Sequence, residues 1–118
     1  MEAKLAISAQ WMLLQYQRPG FEDLAPVAVL LLDEGDSLHI RARPDFESIA
    51  DPNDAEVLAL TVDQLIAEAH QSMGTIIVQR LQDTLSNALR ITDPTPVQVA
   101  EIDQTLLDLY RKHVESVR

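Results

Sequence analysis

The chain has no cysteine, which excludes a disulfide, a thiolate metal site and a cysteine nucleophile. Its three glycines, Gly20, Gly35 and Gly74, are too scattered for a phosphate-cradling loop of the G-x-x-x-x-G-K or G-x-G-x-x-G type. Aromatics are limited to Trp11, Tyr16, Phe21, Phe46 and Tyr110, so the core must be aliphatic. Bases are scarce, 9 against 19 acids for a net charge of −10. That balance opposes binding to a nucleic-acid backbone or an anionic membrane. No apolar run approaches the roughly 18 to 20 residues of a membrane span. The opening Met1-Glu2-Ala3-Lys4 lacks the basic and apolar regions of a signal peptide. The expectation is a cytoplasmic protein.

Catalytic and metal-binding signatures are also missing. There is no H-E-x-x-H and no serine in a G-x-S-x-G elbow. His39, His70 and His113 stand far apart, and the last two read as helix-surface residues. The acidic turn Asp33-Glu34-Gly35-Asp36 lacks the ligand frame of a calcium loop and reads as a hairpin turn. No catalytic residue, metal or cofactor is expected.

What is present specifies a fold. The 118 residues, 47% apolar, suit one domain, which at this size buries roughly two thirds of its unfolded surface. The clearest stretch runs from Pro26 to Phe46. Val27 to Leu32 are apolar at every position, as in a strand covered on both faces. After the acidic turn, Leu38, Ile40 and Ala42 alternate with His39, Arg41 and Arg43, as in a half-buried strand. Pro26 cannot donate to a ladder and is expected at a strand start or edge. Residues 5 to 17 read as a further strand, with a helix as the alternative, since Ala, Gln, Met and Leu also favour helix. Residues 1 to 46 are thus sheet-forming, and residues 54 to 118 read as mainly helical.

The first helix is expected from about Asp54, capped by Asn53 or Asp54, with Val57, Leu58, Thr61, Leu65 and Ala69 on its buried face and Leu60, Val62 and Ile66 widening it. Ser72-Met73-Gly74 ends it. A second helix is expected from Thr75, as its own cap, to Arg90, burying Ile77, Leu81, Leu85 and Ala88 or Leu89. Asp93-Pro94-Thr95-Pro96 forces extended backbone, and residues 96 to 99 suggest a short edge strand. A last helix spans residues 100 to 117. The predicted class is α+β, a three-stranded antiparallel sheet packed against about three helices.

Two clusters invite a functional reading. Arg41 and Arg43 project from one strand face about 6 to 7 Å apart, near Asp45. Such a pair suits a carboxylate or phosphate; the competing reading is that these arginines neutralise the chain's own Asp45, Glu47 or Asp51. The second cluster is the acidic segment 45 to 72, which carries Asp45, Glu47, Asp51, Asp54, Glu56, Asp63 and Glu68 without one Lys or Arg. Asp54, Glu56 and Asp63 are its candidate partner-binding residues, complementary to a basic surface, against the alternative of a solvated face. Trp11 reads as a core plug.

The order of motifs resembles a family of short bacterial domains of unknown function. The matching segments are Leu14-Gln15-Tyr16, Val27 to Asp36, Arg41-Ala42-Arg43-Pro44-Asp45-Phe46, Ser86-Asn87-Ala88-Leu89-Arg90-Ile91-Thr92 and Leu109-Tyr110-Arg111-Lys112-His113-Val114. The chain departs from that pattern at Ala25-Pro26-Val27-Ala28, where the family carries Asn-Val-Gly-Val. Members are often encoded beside a kinase-like protein similar to HipA toxins. The resemblance implies a partner or regulatory role and transfers no site residue.

Two functions follow as expectations. One is a non-enzymatic interaction or regulatory module, with a HipA-like kinase as the partner class. The other is a small-ligand or phosphate-binding protein, or an enzyme of that kind, using Arg41 and Arg43 as an anion clamp. An open sheet edge fits either a homodimer or a monomer that awaits a different protein.

Overall fold

The computed structural model describes residues 7–18, 24–84 and 89–115. Five strands form one antiparallel sheet: β1 (Ile7–Gln17), β2 (Leu24–Asp33), β3 (Leu38–Ala42), β4 (Leu89–Ile91) and β5 (Thr95–Val99). Three helices accompany them: α1 (Pro52–Ala69), α2 (Gly74–Thr84) and α3 (Ile102–Tyr110), the last continuing into a π-helical turn, Arg111–Glu115. The class is α+β as expected, but the sheet has five strands rather than three.

The strand order is β3-β2-β1, with β4 and β5 both beside β1 on its far side. β4 pairs with Leu14 to Tyr16 and β5 with Ile7 to Trp11. They act as one edge strand interrupted near Pro94. Thr92 bridges the gap: its N–H donates to the Leu13 carbonyl at 3.0 Å and its hydroxyl accepts from the Leu13 N–H at 2.8 Å. The expected edge strand at 96 to 99 is therefore present, and Leu89 and Arg90, expected to end a helix, instead form a strand with Ile91. Leu85 and Ala88, expected on that helix's buried side, lie outside the described residues.

The first segment is a strand, not a helix. Its alternation sends Met12, Leu14 and Tyr16 into one core and Ala9, Trp11 and Leu13 towards the other. β2 lies between β1 and β3, and Val27 to Leu31 are fully buried. A bulge sits at its start: Leu14 pairs with Ala28 and Gln15 with Pro26, leaving Val27 as the extra residue. Both Val27 and Ala28 consequently face the same core. Pro26 is thus inside the strand second from the edge, tolerated because a bulge interrupts the ladder where its missing N–H would be needed.

Helices cover both faces. α1 and α2 pack on Met12, Leu14, Val27 and Leu30. α3 and the π-turn pack on Val29, Leu31 and Val99 through Leu106, Tyr110 and Val114. Each fully buried side chain of this kind contributes about 1.5 to 3 kcal/mol. The cap of α1 is Asp51, whose carboxylate accepts from the Asp54 N–H at 2.8 Å, and Pro52 occupies the first turn. Asn53 and Asp54 are inside the helix because Pro52, lacking an N–H, begins it well.

The β2–β3 turn also builds a helix. The Asp36 N–H donates to the Asp33 carbonyl at 3.1 Å, and Asp36 itself is left-handed, with φ 65°. Its carboxylate accepts from the backbone N–H and the hydroxyl of Thr75, and its carbonyl accepts from the Gly74 N–H at 2.7 Å. Asp36 therefore caps α2 from 39 residues away, and Thr75 is capped rather than capping. Gly74 opens α2 instead of closing α1. A Cβ there would strike the Leu32 side chain and come within 3.0 Å of the Asp36 carbonyl.

Candidate functional site

The basic strand face is less open than its alternation suggests. His39 and Arg41 lie on the side of the sheet that α3 covers. The His39 Nε2 sits 2.9 Å from Asp33 Oδ2. Burial opposes ionisation of Asp33, but hydrogen bonds from His39 and from the Ser37 and Gly35 N–H groups outweigh it and hold its carboxyl below the ordinary range. The Arg41 guanidinium lies over the Tyr110 ring, 5.3 Å from its centre, a cation–π contact worth about 0.5 to 1 kcal/mol at an exposed site. Burial raises the Tyr110 phenol above its ordinary value.

Arg43 is engaged within the chain. Its Nε donates to Asp45 Oδ1 at 3.0 Å, one terminal nitrogen donates to the Pro26 carbonyl at 3.0 Å, and the other to Ser48 Oγ at 3.2 Å. Hydrogen bonds from Arg43 and Ser48 hold the Asp45 carboxyl below its ordinary range. The three predicted ligand-binding residues are thus split: Arg43 and Asp45 tie the end of β3 to the following loop, and Arg41 stacks on α3. The loop tucks Ile49 in fully and Phe46 in part.

The three candidate acids of α1 divide as well. Asp54 turns inward and accepts a 2.6 Å hydrogen bond from the Tyr16 hydroxyl. Burial, followed by that contact with Asp54, pushes the Tyr16 phenol up to about 12. Glu56 and Asp63 stay exposed. The buried side of α1 is Ala55, Leu58, Val62 and Leu65. At about 3.6 residues per turn, Leu60 falls roughly opposite the middle of that arc. Leu60 is accordingly 63% exposed and Val57 59%. Glu56 and Asp63 flank Leu60 on one side, and Val57 and Gln64 on the other.

No family model matches the chain, and no curated protein or solved structure matches it. The function therefore rests on the geometry. Among the described residues no cluster of three His, Asp or Glu side chains is placed to hold a metal ion, and no helix is long and apolar enough to cross a membrane.

The apolar periodicity of α1 predicts Val57 and Leu60 inside, and the structure places both outside. The signal against that prediction is the width of the pattern. Val57, Leu58, Leu60, Val62, Leu65 and Ile66 exceed one stripe, and the set spaced 55, 58, 62 and 65 fills the core alone. His113, read as a helix-surface residue, instead stacks on Trp11 with ring centres 4.6 Å apart and planes at 27°. Trp11 is half-buried, so it is a lid on the α3-side core rather than a plug within it.

Proposed function

We propose that this protein is a non-enzymatic interaction module that docks a partner protein on the outer face of α1. One observation carries the reading: Leu60 and Val57 stand exposed on a helix whose opposite side already fills the core, beside the exposed acids Glu56 and Asp63, which make no ion pair among the described residues. The other large apolar side chains exposed by more than half among the described residues, Met73 and Ile76, belong to the α1–α2 layer too. A mixed apolar and acidic face fits a partner that presents an apolar side chain ringed by Lys or Arg. A HipA-like kinase is the partner class the family resemblance suggests. The anion-clamp alternative draws no support from Arg43, whose donors are already shared among Asp45, Ser48 and Pro26.

The test is affinity capture from the native lysate with wild-type bait and with a Glu56→Lys/Asp63→Lys/Leu60→Lys variant. All three positions are exposed, so the variant should melt close to wild type. A stoichiometric protein captured by the wild type and lost with the variant supports the reading. Equal capture by both baits, or none by a folded wild type, sinks it.

A further inference from the structure

β3 is the last strand of the sheet, and a cleft of 210 Å³ passes its outer side. Leu38, Ile40 and Ile66 line it from one face of the sheet, and His39, Asp103 and Leu106 from the other. One cleft bounded by both faces of a sheet must run round a free edge. Here the edge is recessed between the end of α1 and the start of α3.

The ladder shows which groups that edge presents. The Asp33 N–H donates to Ser37 and the Arg43 N–H donates to Val27, each at 3.0 Å. In an antiparallel pair alternate residues bond to the neighbour. His39 and Arg41 therefore turn their main chain to β2, while Ile40 and Ala42 turn theirs outward, where no described residue meets them. The Leu38 end of the edge is closed by Gly74, which packs against the Leu38 nitrogen. The opposite edge of the sheet is poorer in donors. Pro96 lies within β5 opposite Gln10 and has no N–H, which a strand tolerates only where that nitrogen faces outward.

The geometry points to a strand-addition site. We infer that the free edge of β3 takes an extended segment of another protein as a sixth strand. Its alternate side chains would be apolar towards Ile40 and Ile66, and one would be a carboxylate towards Arg41. Arg41 makes no ion pair among the described residues, and its guanidinium lies over the Tyr110 ring. A second copy of this chain is a poor occupant. β3 holds no acid, and two copies paired antiparallel about Ile40 would set each Arg41 against a histidine. The net charge of −10 also favours a segment with a single acid over an acidic tract.

The experiment uses the full chain labelled with nitrogen-15 and the capped hexapeptide Thr-Val-Glu-Val-Thr-Val. Amide exchange of Ile40 and Ala42 should slow about tenfold on peptide saturation, as for newly bonded N–H groups. Lys in place of the peptide's Glu should weaken binding about threefold, the scale of a cross-strand charge pair, and Arg41→Glu should reverse that preference. A fully N-methylated peptide should not bind. Glu56→Lys/Asp63→Lys should leave peptide binding unchanged, which separates this site from the outer face of α1. Unchanged exchange at Ile40 and Ala42 overturns the assignment. So does equal binding of the Glu and Lys peptides, or protection of both amides without peptide in a chain that sediments as a dimer.

Discussion

Tyr16 shows how one side chain can link strand to helix. Its ring fills the core under α1, and its hydroxyl donates to Asp54. Tyr16→Phe should cost about 1.5 to 3 kcal/mol, as for a hydrogen bond to a charged group, read as a lower urea midpoint. The pH dependence has a definite sign. The folded pKa is raised from 10.0 to about 12, so the neutral phenol is favoured by folding. That contribution is complete below pH 10 and is lost as pH rises towards 12. Tyr16→Phe should flatten this alkaline loss of stability; an unchanged alkaline limb would show that Tyr16 is not its source.

His113 works in the opposite direction. Burial, then the charge of Lys112, lowers its pKa below 6.5, so folding favours the neutral imidazole. As pH falls below 6.5 the unfolded chain takes the proton first, and stability declines until the folded pKa is passed. Because His113 stacks on the only tryptophan, Trp11 fluorescence should step down with a midpoint below 6.5. His113→Gln should abolish the step.

At the scale of elements, Asp36 and Gly74 join the β2–β3 turn to the start of α2. Asp36→Ala removes a cap and leaves a Cβ-bearing residue without a polar group in the left-handed region. It should cost about 2 to 3 kcal/mol. Asp36→Gly relieves the backbone and loses only the cap, so it should cost about 1 kcal/mol. Gly74→Ala should cost about 1 to 3 kcal/mol by overpacking, because the Asp36 carbonyl and Leu38 nitrogen that its Cβ would approach are main-chain atoms. Urea unfolding of the three variants checks the order; an Asp36→Gly as damaging as Asp36→Ala would remove the backbone part of the argument.

The same elements show what was legible beforehand. β2 and β3 could be read because their patterns are local: an unbroken apolar run and a strict alternation. β4 could not, because Leu89, Arg90 and Ile91 carry no signal of their own and become a strand only by pairing with β1, more than 70 residues earlier. The cap on α2 was hidden for the same reason, since its donor and acceptor lie 39 positions apart. Arg41, Arg43 and Asp45 were legible as a cluster, but not as contacts to Tyr110 and Ser48, which depend on where α3 and the loop come to rest. The outer face of α1 was written as a surplus of apolar residues, which sequence periodicity alone assigned to the core.

For the whole molecule, the decisive arrangement is that both helical layers rest on opposite faces of β2. Neither layer can leave without exposing residues such as Leu30 on one side or Leu31 on the other. Unfolding should therefore be a single transition. Trp11 fluorescence, which reports the α3 side, should coincide with far-ultraviolet circular dichroism, to which α1 contributes most helix. Separate midpoints would mean that the layers melt independently. The two ends of the sheet are unequal in another sense. Pro96 deprives the β5 side of a donor, whereas β3 contains no proline. Continuous polymerisation requires a molecule that can be joined on both sides. This one is asymmetric, able to end a ladder but ill suited to relay it, so its strand-paired complexes should be finite, with one partner per chain, and it should not seed fibrils from its native state.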